Sequence, residues 1–300
     1  MTLVGDATLV VDCRATLGEG LTWDAHAQVW LWTDIEGRRL WRHDPSTGTT
    51  HHCAMPDRVG TFVVAQSGRL LIGLAKQLAW ADIDWAQGVA TCTPVVDVER
   101  DQPTTRVNDG RVDRHGHFVF GTMDEADGHP ATGHLYQYST RHGLRRLDVG
   151  PVSIANSICF SPSGDSIYFC DSPTRRILRG RYDPDRATID AVETFVTLAE
   201  GQGVPDGSVV DADGALWNAE WGGAAVRRYA PDGTRLGSSP VPAAHVTCPA
   251  FGGPLLDVLC VTTARADVPA ADLAARPDTG GLFRIDAHGA RGLAERPFAD

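Results

Sequence analysis

The sequence predicts an all-β protein: a six-bladed β-propeller with four strands in each blade. Three observations predict it. Strand-like runs dominate, and convincing amphipathic helices are few. The runs recur at roughly 40–50 residues, the length of a four-stranded blade. Four side chains bearing a carboxylate or carboxamide occupy the same place in the repeat: Glu19, Asn108, Asn156 and Asp206.

The units open near Gly20, Thr61, Gly110, Ser157, Gly207 and Pro249. Each carries a β-rich run after a polar or glycine turn: Val29–Thr33, Leu70–Leu74, Phe118–Thr122, Ser166–Cys170, Ala215–Ala219 and Val258–Thr262. Further strands follow, as in Arg39–His43, Leu135–Tyr138, Ile177–Tyr182, Ala225–Tyr229 and Gly281–Ile285. Pro162-Ser163-Gly164-Asp165 and Pro231-Asp232-Gly233 supply the residue types that hairpin turns require. Val268–Ala275 reads as a short helix within a loop. The units fill residues 1–300 as a single propeller domain, with no linker. A β-sandwich or β-helix would not explain the shared register.

That register is set by the turns. Glu19, Asn108, Asn156 and Asp206 each precede a tight turn by eight residues, the turns centring on Ala27, Gly116, Gly164 and Gly214. In a radial repeat, residues in one register point at one axis. A residue just before a blade's first strand looks into the mouth of the central channel. The equivalent places in the other two units fall near Gly60 and Thr247, which carry no charge. The ring is therefore polar on one side and leaves space for a ligand on the other.

Composition narrows the partners. Of 300 residues, 42% are hydrophobic and 22% charged, so a packed core is expected rather than disorder. The net charge of −11 argues against nucleic acid or an anionic membrane as partner. No stretch approaches the ~18 apolar residues of a membrane span. No basic-then-apolar segment opens the chain, so a cytoplasmic protein is expected. The seven cysteines form no C-x-x-C pattern, and several lie in apolar runs such as Ile158-Cys159-Phe160. Buried thiols fit that better than disulfides or zinc–thiolate ligation.

Two carboxylates and an amide make a hard, all-oxygen donor set. It suits one divalent metal, with calcium, magnesium or manganese favoured over zinc or ferrous iron. Arg106 and Asn108, two apart on an extended segment, project to the same side and present hydrogen-bond donors to a hydroxylated or carbonyl ligand. Met123-Asp124-Glu125 follows the next strand of that unit, within reach of the same mouth, although either acid by itself reads first as a solvated surface residue.

These pieces carry a resemblance. Leu17-Gly18-Glu19-Gly20, Arg106-Val107-Asn108-Asp109-Gly110, Gly121-Thr122-Met123, Asn156 before Ser161-Pro162-Ser163-Gly164, and Pro205-Asp206-Gly207 resemble the SMP-30/gluconolactonase/regucalcin-like family of sugar lactonases. Phe251-Gly252-Gly253 and Thr262-Thr263-Ala264-Arg265 are also similar. The resemblance implies a divalent metal held by Glu19, Asn156 and Asp206. It implies substrate contacts from Arg106 and Asn108, and from Glu125 as the family's binding glutamate. The implied reaction is hydrolysis of a pentono- or hexonolactone to its aldonic acid in sugar oxidation. Asp206 would act as general base for water, with direct attack by Asp206 as the variant.

Other hydrolase signatures are absent: no Gly-x-Ser-x-Gly, His-Glu-x-x-His or P-loop pattern occurs. Two other readings remain at this stage: a non-catalytic calcium-binding propeller, and a related propeller esterase acting on another ester. The Arg106/Asn108 pair speaks against the first, since calcium binding alone does not need it. The acidic and amide ring speaks against the second.

Overall fold

Backbone groups that enter a core must be paired, and here almost all are paired between strands. A computed structural model describes residues 2–3, 7–287 and 289–300. Two short strands, β1 (Thr2–Leu3) and β2 (Thr8–Val11), join sheets completed later in the chain. Four-stranded antiparallel units then follow. They are β3 (Gly18–Asp24), β4 (Val29–Asp34), β5 (Arg39–Asp44) and β6 (Thr49–Ala54); β7 (Val59–Val64), β8 (Leu70–Leu74), β9 (Gln77–Asp84) and β10 (Val89–Asp97); β11 (Thr105–Val112), β12 (Phe118–Asp124), β13 (Gly133–Ser139) and β14 (Gly143–Val152). Next come β15 (Ala155–Phe160), β16 (Ser166–Asp171), β17 (Arg176–Asp183) and β18 (Thr188–Thr197), then β19 (Val204–Val210), β20 (Leu216–Trp221), β21 (Ala225–Tyr229) and β22 (Arg235–Pro240). The chain finishes with β23 (His245–Gly252), β24 (Val258–Ala264) and β25 (Leu282–Ile285). Their fourth strand is β2, which places Leu9 opposite Phe283.

Apolar residues alternate along these strands and fill the space between neighbouring units. Val29, Leu31 and Leu40 pack with Phe62, Ile72 and Ala79 of the next unit. Leu71 and Leu78 pack with Val107 and Phe120, and Leu135 and Leu147 with Ile158 and Phe169. Tyr168 and Ile177 pack with Leu216 and Tyr229, and Trp217 and Val226 with Phe251 and Val261. Trp23, Trp30, Trp32 and Trp41 pack against Cys248, Ala250, Cys260 and Leu282. The first unit therefore meets the last, and the succession closes on itself as a propeller-like all-β fold. The tryptophans of the first unit lie in the core, with Trp32 and Trp41 stacked at 5.7 Å. The short helix predicted over Val268–Ala275 is α1 (Ala270–Ala275). Among the described residues no helix is long and apolar enough to cross a membrane.

The turns repeat as read. Asp24 Oδ1 accepts the His26 and Ala27 amides, Asp113 Oδ1 those of His115 and His117, and Asp211 Oδ1 those of Asp213 and Ala215. Aspartates also brace the opposite ends. Asp34 accepts the Thr16 and Leu17 amides, and Asp171 those of Ser153 and Ile154, so the chain enters β3 and β15 at a fixed angle. All seven cysteines are free thiols.

The C-terminal segment crosses the face where the turns lie. Ala212 N donates to Arg291 O, Arg114 Nη1 to Ala294 O, and Phe298 N to Val64 O. Phe298 is fully buried, stacks on Tyr138 at 5.8 Å and meets Trp80 edge-on at 5.9 Å. Replacing it leaves a cavity beneath the segment. Phe298→Ala should lower unfolding free energy by about 3–5 kcal/mol, read as a lower urea midpoint at unchanged slope.

Candidate active site

The inner strands β3, β7, β11, β15, β19 and β23 share one irregularity. Pairing slips between Glu19 and Thr22, Val59 and Thr61, Val107 and Gly110, Asn156 and Cys159, Pro205 and Ser208, and Val246 and Pro249. A bulge at a strand's end re-aims the side chain it carries. Glu19, Asn108, Asn156 and Asp206 each sit at such a bulge. They lie inside the inner strands rather than just before them, because those strands begin one to three residues earlier than the polar positions. The bulge needs an unusual backbone: the residue after Glu19 is Gly20 at φ +61, and the residue after Asn156 is Ser157 at the same φ. Gly60 and Thr247 fall in the matching bulges. Gly60 has a packing reason of its own, since a Cβ there would stand 2.2 Å from Val107 O.

A hydrogen-bonded row crosses the mouth. Arg106 Nη1 donates to Asn108 Oδ1 at 2.7 Å, confirming that the two side chains share a side. Asn108 Nδ2 donates to Ala155 O at 2.9 Å and to Asn156 Oδ1 at 3.2 Å. Asn156 Nδ2 donates to Ser172 Oγ at 3.0 Å, and Ser172 Oγ to Pro205 O at 2.8 Å. This row links β11, β15 and β19. Asp206 is anchored by its own carbonyl, which accepts Ser157 Oγ at 2.5 Å and Asn218 Nδ2 at 3.2 Å.

Carboxylates crowd the row's end. Asp206 is 4% exposed, and its carboxyl faces that of Glu19. Burial and then the Asp109 charge push the Glu19 carboxyl up from its ordinary value. Burial, then the Glu19 and Asp109 charges, push Asp206 up. Asp109 turns aside and accepts the Ile158 amide at 2.8 Å. Asp206 Oδ1 is buried without a hydrogen-bond partner. Among the described residues no three His, Cys, Asp or Glu side chains are grouped so as to hold a metal ion by themselves; the converging donors are two carboxylates and an amide. A carboxylate pair, buried at Asp206 and half-buried at Glu19, with an orphaned oxygen invites positive charge, and hard oxygen donors fit a divalent cation.

Glu125, on the chain leaving β12, lies beside Arg106. Its Oε1 accepts Arg106 Nε at 3.1 Å. Sequence reasoning missed its stronger partner. Arg58 reaches Glu125 with both terminal nitrogens, Nη1 to Oε1 at 2.5 Å and Nη2 to Oε2 at 2.8 Å. The signal was present: Arg58 stands two residues before Gly60, as Arg106 stands two before Asn108. Of the tryptophans near Asp206, Trp217 is core and donates to Asp211, while Trp221 is half-buried and stacked on His245 at 4.0 Å. His117 pairs with Asp113, away from the mouth.

Residues 17–265 match the model of the SMP-30/Gluconolactonase/LRE-like region. The chain belongs to that family. Within it, this SMP-30/gluconolactonase-like chain is 42% identical over 297 residues to an L-arabinolactonase of Azospirillum brasilense, covering 98% of this chain and 96% of that one. It is 36% identical to a pentonolactonase of Haloferax volcanii, covering 93% and 94%. A crystal structure titled as a calcium-binding protein, regucalcin, from Agrobacterium tumefaciens superposes with a TM-score of 0.90 at 31% identity, with full coverage of both chains.

The crowding of like charges yields a prediction. Asp206→Asn should fold with a Tm no lower than the parent in chelator, because one repelling charge is gone. Excess divalent cation should stabilise the parent by about 2.7 kcal/mol at a hundredfold over Kd and leave the variant's melting curve unmoved. Scanning calorimetry with and without calcium, magnesium or manganese reads both effects.

Proposed function

We propose that this chain is a sugar lactonase that opens an aldonolactone to its aldonic acid, within one six-bladed propeller domain spanning residues 1–300. The observation that carries the reading is the Arg106–Asn108–Asn156 row ending at the Glu19–Asp206 carboxyl pair. The row supplies donors and acceptors for a polyhydroxylated ring, and the pair supplies a base beside it. The relatives named as acting on arabinono- and pentonolactones favour a five-carbon substrate. Closure of successive units through buried clusters supports the blade count.

Glu19, Asn156 and Asp206 would hold one divalent metal. Bound there, it would balance the carboxylates and polarise the lactone carbonyl. The chain's own residues do the rest. Arg106 and Asn108 orient ring oxygens, fixed by the bonds they already make to each other and to Asn156. Glu125 accepts a sugar hydroxyl while held by the two guanidiniums. Asp206 takes the proton from the attacking water as the oxygen–carbonyl bond forms. The ring C–O bond then breaks, and the leaving alkoxide takes up a proton to complete the aldonic acid.

Acid release from a panel of pentono- and hexonolactones, after chelation and after return of each metal, tests the reading. Metal-restored hydrolysis faster than the spontaneous rate is expected, best on a pentonolactone. Asp206→Ala should lower kcat by about 10²–10⁴-fold with the fold retained by circular dichroism. Arg106→Ala should lower kcat/KM by about 10–100-fold, the loss of a charge-assisted hydrogen bond. Metal binding with lactones left at their spontaneous rate would instead show a non-catalytic calcium-binding propeller.

A further inference from the structure

Two positions before each bulge the inner strands carry Leu17, Arg58, Arg106, Ile154, Val204 and His245. Full positive charge at these six positions is confined to Arg58, just before β7, and Arg106, on the neighbouring β11. Both are matched by carboxylates. Glu125 takes both terminal nitrogens of Arg58 and Nε of Arg106, and Glu36, on the β4–β5 turn, takes Arg58 Nη1 at 3.3 Å. Arg106 Nη1 is committed to Val107 O and Asn108 Oδ1. The third cation on this side, Lys76, donates to Thr105 Oγ1 at 2.7 Å and to backbone carbonyls of residues 99 and 102. The arrangement is open to solvent at the Glu36 and Arg58 end, where the side chains are 39% and 24% exposed.

We propose that Glu36 and Arg58 form a charge-matched clamp around Glu125 that restricts the enzyme to uncharged aldonolactones and disfavours lactones bearing a phosphate, sulfonate or second carboxylate. The proposal rests on the lactonase reading above and names the substrate class of that same site. An anionic substituent needs an unpaired guanidinium or ammonium to replace its water. The charges of Arg58 and Arg106 are already matched by Glu125 and Glu36. The chain around the site carries a net charge of −11, so the anion meets a repelling field as well. An uncharged polyol loses nothing in the same place. Its hydroxyls use the lone pairs of Glu125, which the two-pronged grip of Arg58 keeps at a fixed orientation.

The test is a matched pair of substrates, D-glucono-1,5-lactone and its 6-phosphate, with L-arabinono-1,4-lactone as a second uncharged control. The expected wild-type result is a kcat/KM on the phosphate at least about tenfold lower than on gluconolactone, an energy gap typical of unmatched charge. Glu36→Gln leaves Arg58 with spare charge and should narrow that ratio by about twofold to fivefold, the share of a partly exposed ion pair. Glu36→Lys should narrow it further, and 0.5 M sodium chloride should erase most of either gain. Equal rates on the phosphate and on gluconolactone would overturn the proposal while leaving the lactonase reading intact. So would a ratio that neither variant nor salt moves, because exclusion by size alone is indifferent to both. Hydrolysis of neither uncharged lactone would remove the lactonase reading itself, and the clamp's role with it.

Discussion

The bulge at the start of each inner strand is the constraint on which the site depends. A regular strand alternates its side chains between two faces, and a strand edge-on to a channel offers the axis little. One extra residue breaks the alternation and turns a side chain toward the centre. Because the bulge recurs in the same register, Glu19, Asn108, Asn156 and Asp206 are aimed together although they are scattered through the chain. The cost is local: Ser157 is held at φ +61 without being glycine. Hydrogen bonds around it compensate, with Ser157 Oγ donating to Asp206 O and accepting from Ser208 Oγ and Asn218 Nδ2. The same bond that settles the strained serine fixes the backbone of Asp206.

A second tension follows from the first. Aiming carboxylates at one axis brings like charges together out of water, and folding must tolerate this before any cation arrives. The surrounding structure supplies the tolerance. The turn aspartates Asp113 and Asp211 have both carboxylate oxygens hydrogen-bonded, the tryptophan cluster closes the first unit on the last, and Phe298 locks the C-terminal segment across the far face. Burying one such side chain contributes about 1.5–3 kcal/mol, comparable with the cost of keeping a carboxyl away from its ordinary titration range. The site is a place where stability is given up, and its strain is confined to the ends of strands whose middles are packed.

Much of this was legible in residue types and spacing. The eight-residue distance from ring position to turn could be read because Asp24, Asp113, Ser161 and Asp211 are turn residues for a mechanical reason: their side chains cap the turn's own amides. Arg106 and Asn108 could be read as one group because an extended chain places i and i+2 on one side. Three things were not legible. The bulges left no compositional mark, so the polar positions looked as if they preceded the strands. Gly60 looked like empty space, when it is a glycine because the Val107 carbonyl passes too close for a Cβ. Arg58 was overlooked because the argument that singled out Arg106 was attached to its neighbour Asn108; with Gly60 in the ring there was no polar residue beside Arg58 to draw attention to it.

The two tiers of the mouth differ in how their charge is handled. At the ring, Glu19 and Asp206 stand without a cationic side chain of their own, and Asp206 Oδ1 is left without a partner. One step outward, the guanidiniums of Arg58 and Arg106 are both paired with Glu125. An uncharged lactone passes the outer tier without an electrostatic penalty, and its carbonyl then meets the tier built to hold charge. Hydrolysis converts it into a carboxylate anion. With Arg58 and Arg106 paired to Glu125, the outer tier holds no unmatched cation among the described residues at these positions to retain that anion, and the acidic field of the chain favours its departure. Tight binding of the product would cost turnover without helping the chemical step. Matched charge in the outer tier and unmatched charge in the inner one are thus two halves of a single electrostatic arrangement, which admits a neutral ester and expels an acid.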